Sequence, residues 1–110
     1  LEKLNLMIEA VFVRFSQPEG RDEILFLLLA QRGEALTQRV EFETLAVLVE
    51  QTLREGQVDG EFSAMNPVLG GALIIGMVAQ CIEYLAIGAE LKLEESILGV
   101  QQATAKLLEV

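Results

Sequence analysis

Apolar side chains recur along this chain at the intervals of an α-helix from its first residues onward. Between residues 2 and 16 they stand three and four positions apart, which places them on one stripe of an amphipathic helix. The stripe consists of Leu4, Met7, Ile8, Val11, Phe12 and Phe15. Ser16 and Pro18 then interrupt the pattern, so the sequence predicts a first helix over residues 2–16.

Proline, glycine and acidic residues mark the limits of the next two predicted helices. Proline suits a first helical position and acidic residues favour a helix amino end, so a second helix is predicted from about Pro18 to Arg32, with Gly33 as its stop. A third is predicted over about Glu34 to Glu55, where Gly56 breaks the pattern. Residues 56–63 are expected to form a loop.

The carboxy-terminal half predicts two more helices. Asn66 is a good amino-terminal cap and Pro67 a good first residue for a fourth helix, which should continue to Ile87 and end at Gly88. The last helix is expected over about Leu91 to Leu108. The chain is therefore predicted to be one all-α domain, residues 1–110, built as a bundle of about five helices.

The segment from Phe62 to Ile82 carries no formal charge over twenty-one residues. It is long enough to span a membrane, but it could equally be a soluble helix that is buried on every side. The absence of a basic cluster at either end and of any tryptophan favours the soluble interpretation, and the membrane span stays the alternative.

Small residues on the last two predicted helices suggest how this apolar surface is covered. Ala72, Gly76 and Ala79 recur at helical spacing, and Gly99 and Ala103 stand four positions apart on the next helix. Such strips let another helix backbone come close. We expect the last two helices to form a four-helix interface with a second copy of the chain.

Charge and residue types exclude several classes of function. The net charge is -9, with 17 acidic and 8 basic residues and no histidine, so these residues are not expected to bind nucleic acid. With the single cysteine Cys81 and no clustered ligands or nucleophile beside a base, we expect neither an enzyme nor a metal or cofactor site. The lone cysteine and the lack of a signal-like amino terminus favour the reducing cytoplasm.

Two segments resemble a known family. The stretch REGQVDGEFS at 54–63, followed by Asn66, Pro67 and the run LGGALIIGM, resembles the carboxy-terminal regulatory domain of TetR-family transcriptional repressors, and the opening LEKLNLMIEAVFVRFSQPE is similar to that family's long connecting helix. The resemblance implies a domain that dimerises through its last two helices and binds an inducer inside. It also implies a helix-turn-helix domain for DNA binding, which is absent from these residues. Because the chain starts at Leu1 within a helical pattern and without a methionine, we expect a fragment or an excised domain.

Such a domain would hold a small apolar or aromatic effector against apolar walls with a few polar groups. The candidate lining residues are Phe15, Phe42, Met77, Gln80, Cys81 and Tyr84. The same side chains would also serve as ordinary core packing. The main alternative function is accordingly a homodimeric helical scaffold without a ligand, and a small membrane protein is the third.

Overall fold

The structure is a computed structural model that describes residues 1–17, 40–86, 88 and 90–109, with the side chains of residues 40–42 not described. Within these ranges the chain is entirely helical and forms no strand. The four helices are α1 (Glu2–Ser16), α2 (Val40–Val58), α3 (Pro67–Ala86) and α4 (Leu93–Leu107). The all-α prediction is confirmed for the described residues, whereas the predicted second helix, Pro18 to Arg32, lies outside them.

Helix α1 has the predicted limits and buries the predicted stripe. Leu4, Ile8, Phe12 and Phe15 are buried, and Met7 and Val11 pack at the edge of the core. The helix ends where Gln17 takes an extended conformation, with φ -67° and ψ 150°.

Helix α3 is the centre of the bundle, because α1, α2 and α4 all pack against it. Its inward face is aliphatic, and it meets apolar residues from the other three helices. The buried apolar side chains of α3 are Ile74, Ile75, Val78, Ala79, Ile82 and Ala86. Burial of this face is the main source of cohesion in the described residues, since each aliphatic side chain removed from water contributes roughly 1.5–3 kcal/mol.

Helices α2 and α3 pack closely, and Gly71 of α3 lies against the α2 backbone. A Cβ atom at Gly71 would be 4.0 Å from the backbone oxygen of Ala46 and 4.0 Å from the backbone nitrogen of Glu50. At Gly70 a Cβ would lie 3.1 Å from Leu53 Cδ1. These two glycines therefore serve packing within the chain.

The turn between α2 and α3 is built around Gly56. Its carbonyl accepts hydrogen bonds from the backbone N–H groups of Glu61 at 2.8 Å and Phe62 at 3.2 Å. The Gln57 amide donates to the Ser63 carbonyl at 2.9 Å. The Phe62 ring is 7% exposed and joins the core. This folded-back turn brings α3 alongside α2.

Asn66, Gly88 and Gly56 were each predicted to mark a helix limit. Asn66 caps α3 as predicted, since its Oδ1 accepts hydrogen bonds from Val68 N at 2.9 Å and Leu69 N at 3.4 Å. Gly88 follows the end of α3 with a φ of +78°, a conformation that glycine adopts easily. The predicted stop at Gly56 was wrong, because α2 continues through it to Val58.

Candidate functional site

An apolar groove lies between α3 and α4. It is open to solvent and has a volume of about 710 Å³. Its described lining consists of Ala72, Leu73, Gly76, Met77, Gln80 and Cys81 from α3 and of Leu91, Glu95, Ser96, Gly99, Val100 and Ala103 from the α4 side. Apart from Glu95 these lining residues are uncharged.

Two glycines keep the floor of this groove open. A Cβ atom at Gly76 would meet nothing within 4 Å, and the same is true at Gly99. Neither glycine therefore contacts another described residue at its Cβ position, in contrast to Gly70 and Gly71. The space above Gly76 and Gly99 is available to an atom from outside.

Apolar side chains extend the groove along the outer face of α3. Residues three and four positions apart share a helix face. By this spacing Met77 lies on the same face as Leu73 and Gln80. Leu69 and Tyr84 continue this face toward the two ends of the helix. Leu69 is 53% exposed, Leu73 43% and Tyr84 47%. A helix that buries one aliphatic face thus presents a second, mostly apolar face to solvent.

Electrostatics in the groove are modest. Burial raises the pKa of the Cys81 thiol, so the neutral thiol is favoured over the thiolate and the side chain is a weak nucleophile. No group of three His, Cys, Asp or Glu residues that could hold a metal ion occurs in the described ranges. The groove is suited to apolar contact.

A second, half-enclosed cavity lies at the other side of α3, where α1 and α3 both end. Its volume is about 370 Å³. The described residues that line it are Phe12, Phe15, Ser16, Ile82, Leu85, Ala86, Gly88, Leu91 and Leu93. Phe12, Phe15 and Ile82 form a buried apolar wall, and Ser16, whose hydroxyl donates to the Val13 carbonyl at 2.8 Å, is the polar side chain in the described lining.

The candidate residues from sequence fall into these two places. Met77, Gln80 and Cys81, predicted to bind an effector, line the groove together with Ala72, Gly76, Gly99 and Ala103, predicted to contact a second copy. Ala79, the fifth predicted contact residue, is buried within the chain at 4% exposure.

Phe15 is separated from the other effector candidates. It lines the half-enclosed cavity, whereas Tyr84 is 47% exposed beside the groove. The Phe42 side chain lies outside the described residues. The prediction thus combined residues from two different concavities.

The cavity itself was not predicted from the sequence. Ser16 and Gly88 signalled where two helices end, but they gave no indication that these ends meet. Leu91 has a further property that the sequence did not reveal, since it lies in the walls of both the cavity and the groove.

Helix α3 is also long and apolar enough to cross a membrane by length and composition alone. The core helix of a soluble protein passes the same criterion, and 39% of the most apolar part of α3 is buried inside the chain.

Searches of protein-family models, of curated proteins and of solved structures found no match for this chain.

Proposed function

We propose that this chain is the regulatory module of a TetR-like transcriptional repressor, which forms a homodimer and senses a small apolar or aromatic effector. DNA binding would belong to a helix-turn-helix domain outside these 110 residues. The proposed module is not an enzyme, uses no cofactor and acts in the cytoplasm. The all-helical fold, the acidic composition and the sequence resemblance support this function.

The open groove between α3 and α4 carries the proposal. Its floor includes Gly76, which is half-buried, and Gly99, which is exposed, and no described residue fills the space at their Cβ positions. Pairing α3 and α4 with the same two helices of a second copy, around a two-fold axis, would cover the groove and make a four-helix interface.

The exposed apolar surface supports a protein partner for this face. Leu69, Leu73 and Leu91 are large side chains with 53%, 43% and 39% exposure. A stable homodimer buries upwards of about 1,000 Å² in total with an apolar centre, and exposed apolar side chains grouped on one face suit such a centre. A second copy is the occupant that matches the repeated small residues on both helices.

The test of dimerisation is sedimentation or light scattering of the wild type beside Gly76→Leu and Gly99→Leu. Both variants should fold, because neither new side chain meets an atom of the described residues at the Cβ position. Each should shift the dimer toward monomer, since overfilling a packed contact costs about 1–3 kcal/mol. Ala10→Leu, on the exposed face of α1, is the matched control and should leave the dimer intact.

Other results would identify other functions. A wild-type protein that stays monomeric at about tens of micromolar would contradict the proposed interface. Recovery only in detergent would support the membrane span of α3. A dimer that binds no apolar compound would support the scaffold without a ligand.

A further inference from the structure

The two helices that form the groove run in opposite directions, and each has a glycine near its middle. The backbone N–H of Ser63, just before α3, donates to the carbonyl of Leu108, just after α4, at 3.1 Å, so α4 runs back along α3. Gly76 lies near the midpoint of α3 and Gly99 near the midpoint of α4. The two glycines therefore stand at about the same level of the groove, whose lining includes both.

Charge is distributed unevenly along these two helices. Three carboxylates stand at the end where α3 finishes and α4 begins. They are Glu83, Glu94 and Glu95. The base within α3 and α4 is Lys106, in the last turn of α4 and thus at the opposite end. The connection between the helices carries Glu90 and Lys92, whose formal charges cancel. The groove therefore has an acidic end, an uncharged centre at the glycines and a basic end.

A two-fold axis relates these helices to those of a second copy in one of two ways. If the axis is parallel to the helices, α3 of each copy lies against α4 of the other, and the two acidic ends meet. If the axis is perpendicular to the helices, each helix crosses its own counterpart in the antiparallel direction, and the acidic end of each copy meets the Lys106 end of the other. Like charges brought together oppose association and opposite charges favour it, so charge selects the perpendicular axis.

We propose that the two-fold axis of the homodimer is perpendicular to α3 and α4 and passes beside Gly76 and Gly99, so that each helix crosses its own counterpart at its glycine. The proposal rests on the proposed homodimer and specifies how the second copy occupies the groove. A residue beside the axis meets itself, and the open space at both Cβ positions allows this close approach.

On this axis, positions equally far before and after Gly76 face each other across the interface. Leu73, which is 43% exposed and precedes Gly76 by three positions, then lies opposite the part of the other copy's groove that Met77 and Gln80 line. Each copy thus contributes a large apolar side chain to the groove of the other.

Cysteine crosslinking distinguishes the two axes. In a Cys81→Ser background, Gly76→Cys and Gly99→Cys each carry a single thiol, and neither new Cβ meets an atom of the described residues. On the proposed axis each variant alone should form a covalent dimer under mild oxidation, because a disulfide requires Cα atoms within about 7 Å and each position faces itself. Ala10→Cys in the same background, on the exposed face of α1, gives the rate of random collision, which both variants should exceed at least about tenfold.

A mixture of the two glycine variants supplies the contrary case. On the proposed axis, positions 76 and 99 of different copies lie on a diagonal of the four-helix interface, so mass spectrometry of the digested products should find no disulfide between them. On the parallel axis these two positions would face each other, and covalent dimers would form in the mixture but not from either variant alone.

A charge reversal tests the electrostatic argument independently. Lys106→Glu would place a carboxylate opposite the acidic end of the second copy, so the dissociation constant measured by sedimentation at low salt should rise at least several-fold, and less at high salt. Lys3→Glu, exposed on α1, changes the net charge equally and should dimerise as the wild type does. On the parallel axis Lys106 would meet its own counterpart, and the reversal would remove no attraction.

The outcomes separate this axis from dimerisation itself. A monomer in sedimentation, with both glycine variants crosslinking no faster than Ala10→Cys, would refute the homodimer and the axis together. A dimer in which the mixture alone crosslinks would refute the perpendicular axis and keep the homodimer. A dimer that crosslinks at neither position would place the interface on another face, and unchanged self-association of Lys106→Glu would refute the role of charge.

Discussion

Replacing Gly56 by alanine tests why a glycine stands in the last turns of α2. The added Cβ would lie 2.1 Å from Phe62 Cδ2 and 2.2 Å from Phe62 Cε2. Carbon atoms in contact normally stay about 3.5–4.0 Å apart, so the ring would have to move by roughly 1.5 Å. Phe62 is held in the core at 7% exposure and is stiff, which makes that movement costly.

The expected loss can be bounded from both sides. Overpacking a core typically costs about 1–3 kcal/mol, and complete expulsion of a phenylalanine about 3–5 kcal/mol. Alanine recovers at most about 1 kcal/mol of helix propensity over glycine, and less near a helix end. We therefore expect Gly56→Ala to lower the free energy of unfolding by about 2 kcal/mol.

Urea denaturation followed by far-ultraviolet circular dichroism measures this loss, and a double-mutant cycle with Phe62→Leu tests its cause. If the ring is responsible, Gly56→Ala should cost at least about 1 kcal/mol less in the Phe62→Leu background. Gln51→Ala, at an exposed position of the same helix, is the control and should change the free energy of unfolding by no more than about 0.5 kcal/mol. The same loss from Gly56→Ala with and without the Phe62 ring would refute this reasoning.

Four further predictions follow from other parts of the molecule. Gly99→Ala should raise the stability of the monomer by about 0.5–1 kcal/mol while weakening the proposed dimer, and sedimentation combined with urea denaturation will show whether the two effects have opposite signs. Thr104 is 0% exposed and its hydroxyl has no hydrogen-bond partner among the described residues, so Thr104→Val should stabilise the fold by about 1 kcal/mol; a loss in thermal unfolding would indicate that the hydroxyl is satisfied. Because burial raises the pKa of the Cys81 thiol, this thiol should react with a thiol reagent at pH 8 more slowly than the thiol of an unfolded control, and its reaction should accelerate as the pH rises. If a second copy covers the groove, the reaction should also accelerate when the protein is diluted. The isolated chain should show no sequence-selective binding to double-stranded DNA at low salt, where electrostatic binding is strongest. A specific complex in a gel-shift titration would contradict the proposal that DNA binding belongs to a separate domain.

Local signals in the sequence were sufficient for most helix limits. The apolar spacing over residues 2–16 and the Asn66–Pro67 pair depend on neighbouring residues only, and both predictions are confirmed. The prediction that Gly56 ends the helix was wrong, because a glycine is needed there for the contact with Phe62, six positions away, and not for the conformation of its own backbone. The sequence alone does not distinguish a glycine that ends a helix from a glycine that leaves room for a side chain packed against the helix.

Tertiary placement was predicted less well for the same reason. Helical spacing alone puts Ala72, Gly76 and Ala79 on one strip, but Ala79 lies at the boundary of two faces and the packed neighbours bury it. Phe15 was grouped with Met77 although they line different concavities. Such assignments depend on which helices meet on each side of α3, and that information is distributed over the whole chain.

Leu91 connects the two concavities physically, because this residue lines both of them. Any occupant of the cavity that displaces Leu91 also changes the shape of the groove, and any molecule that fixes Leu91 from the groove side restricts the cavity. The free energy that couples the two occupants is then the same in both directions, so an effector that alters self-association by some factor must have its own affinity altered by that same factor. Protein concentration would in this way become a variable in ligand sensing.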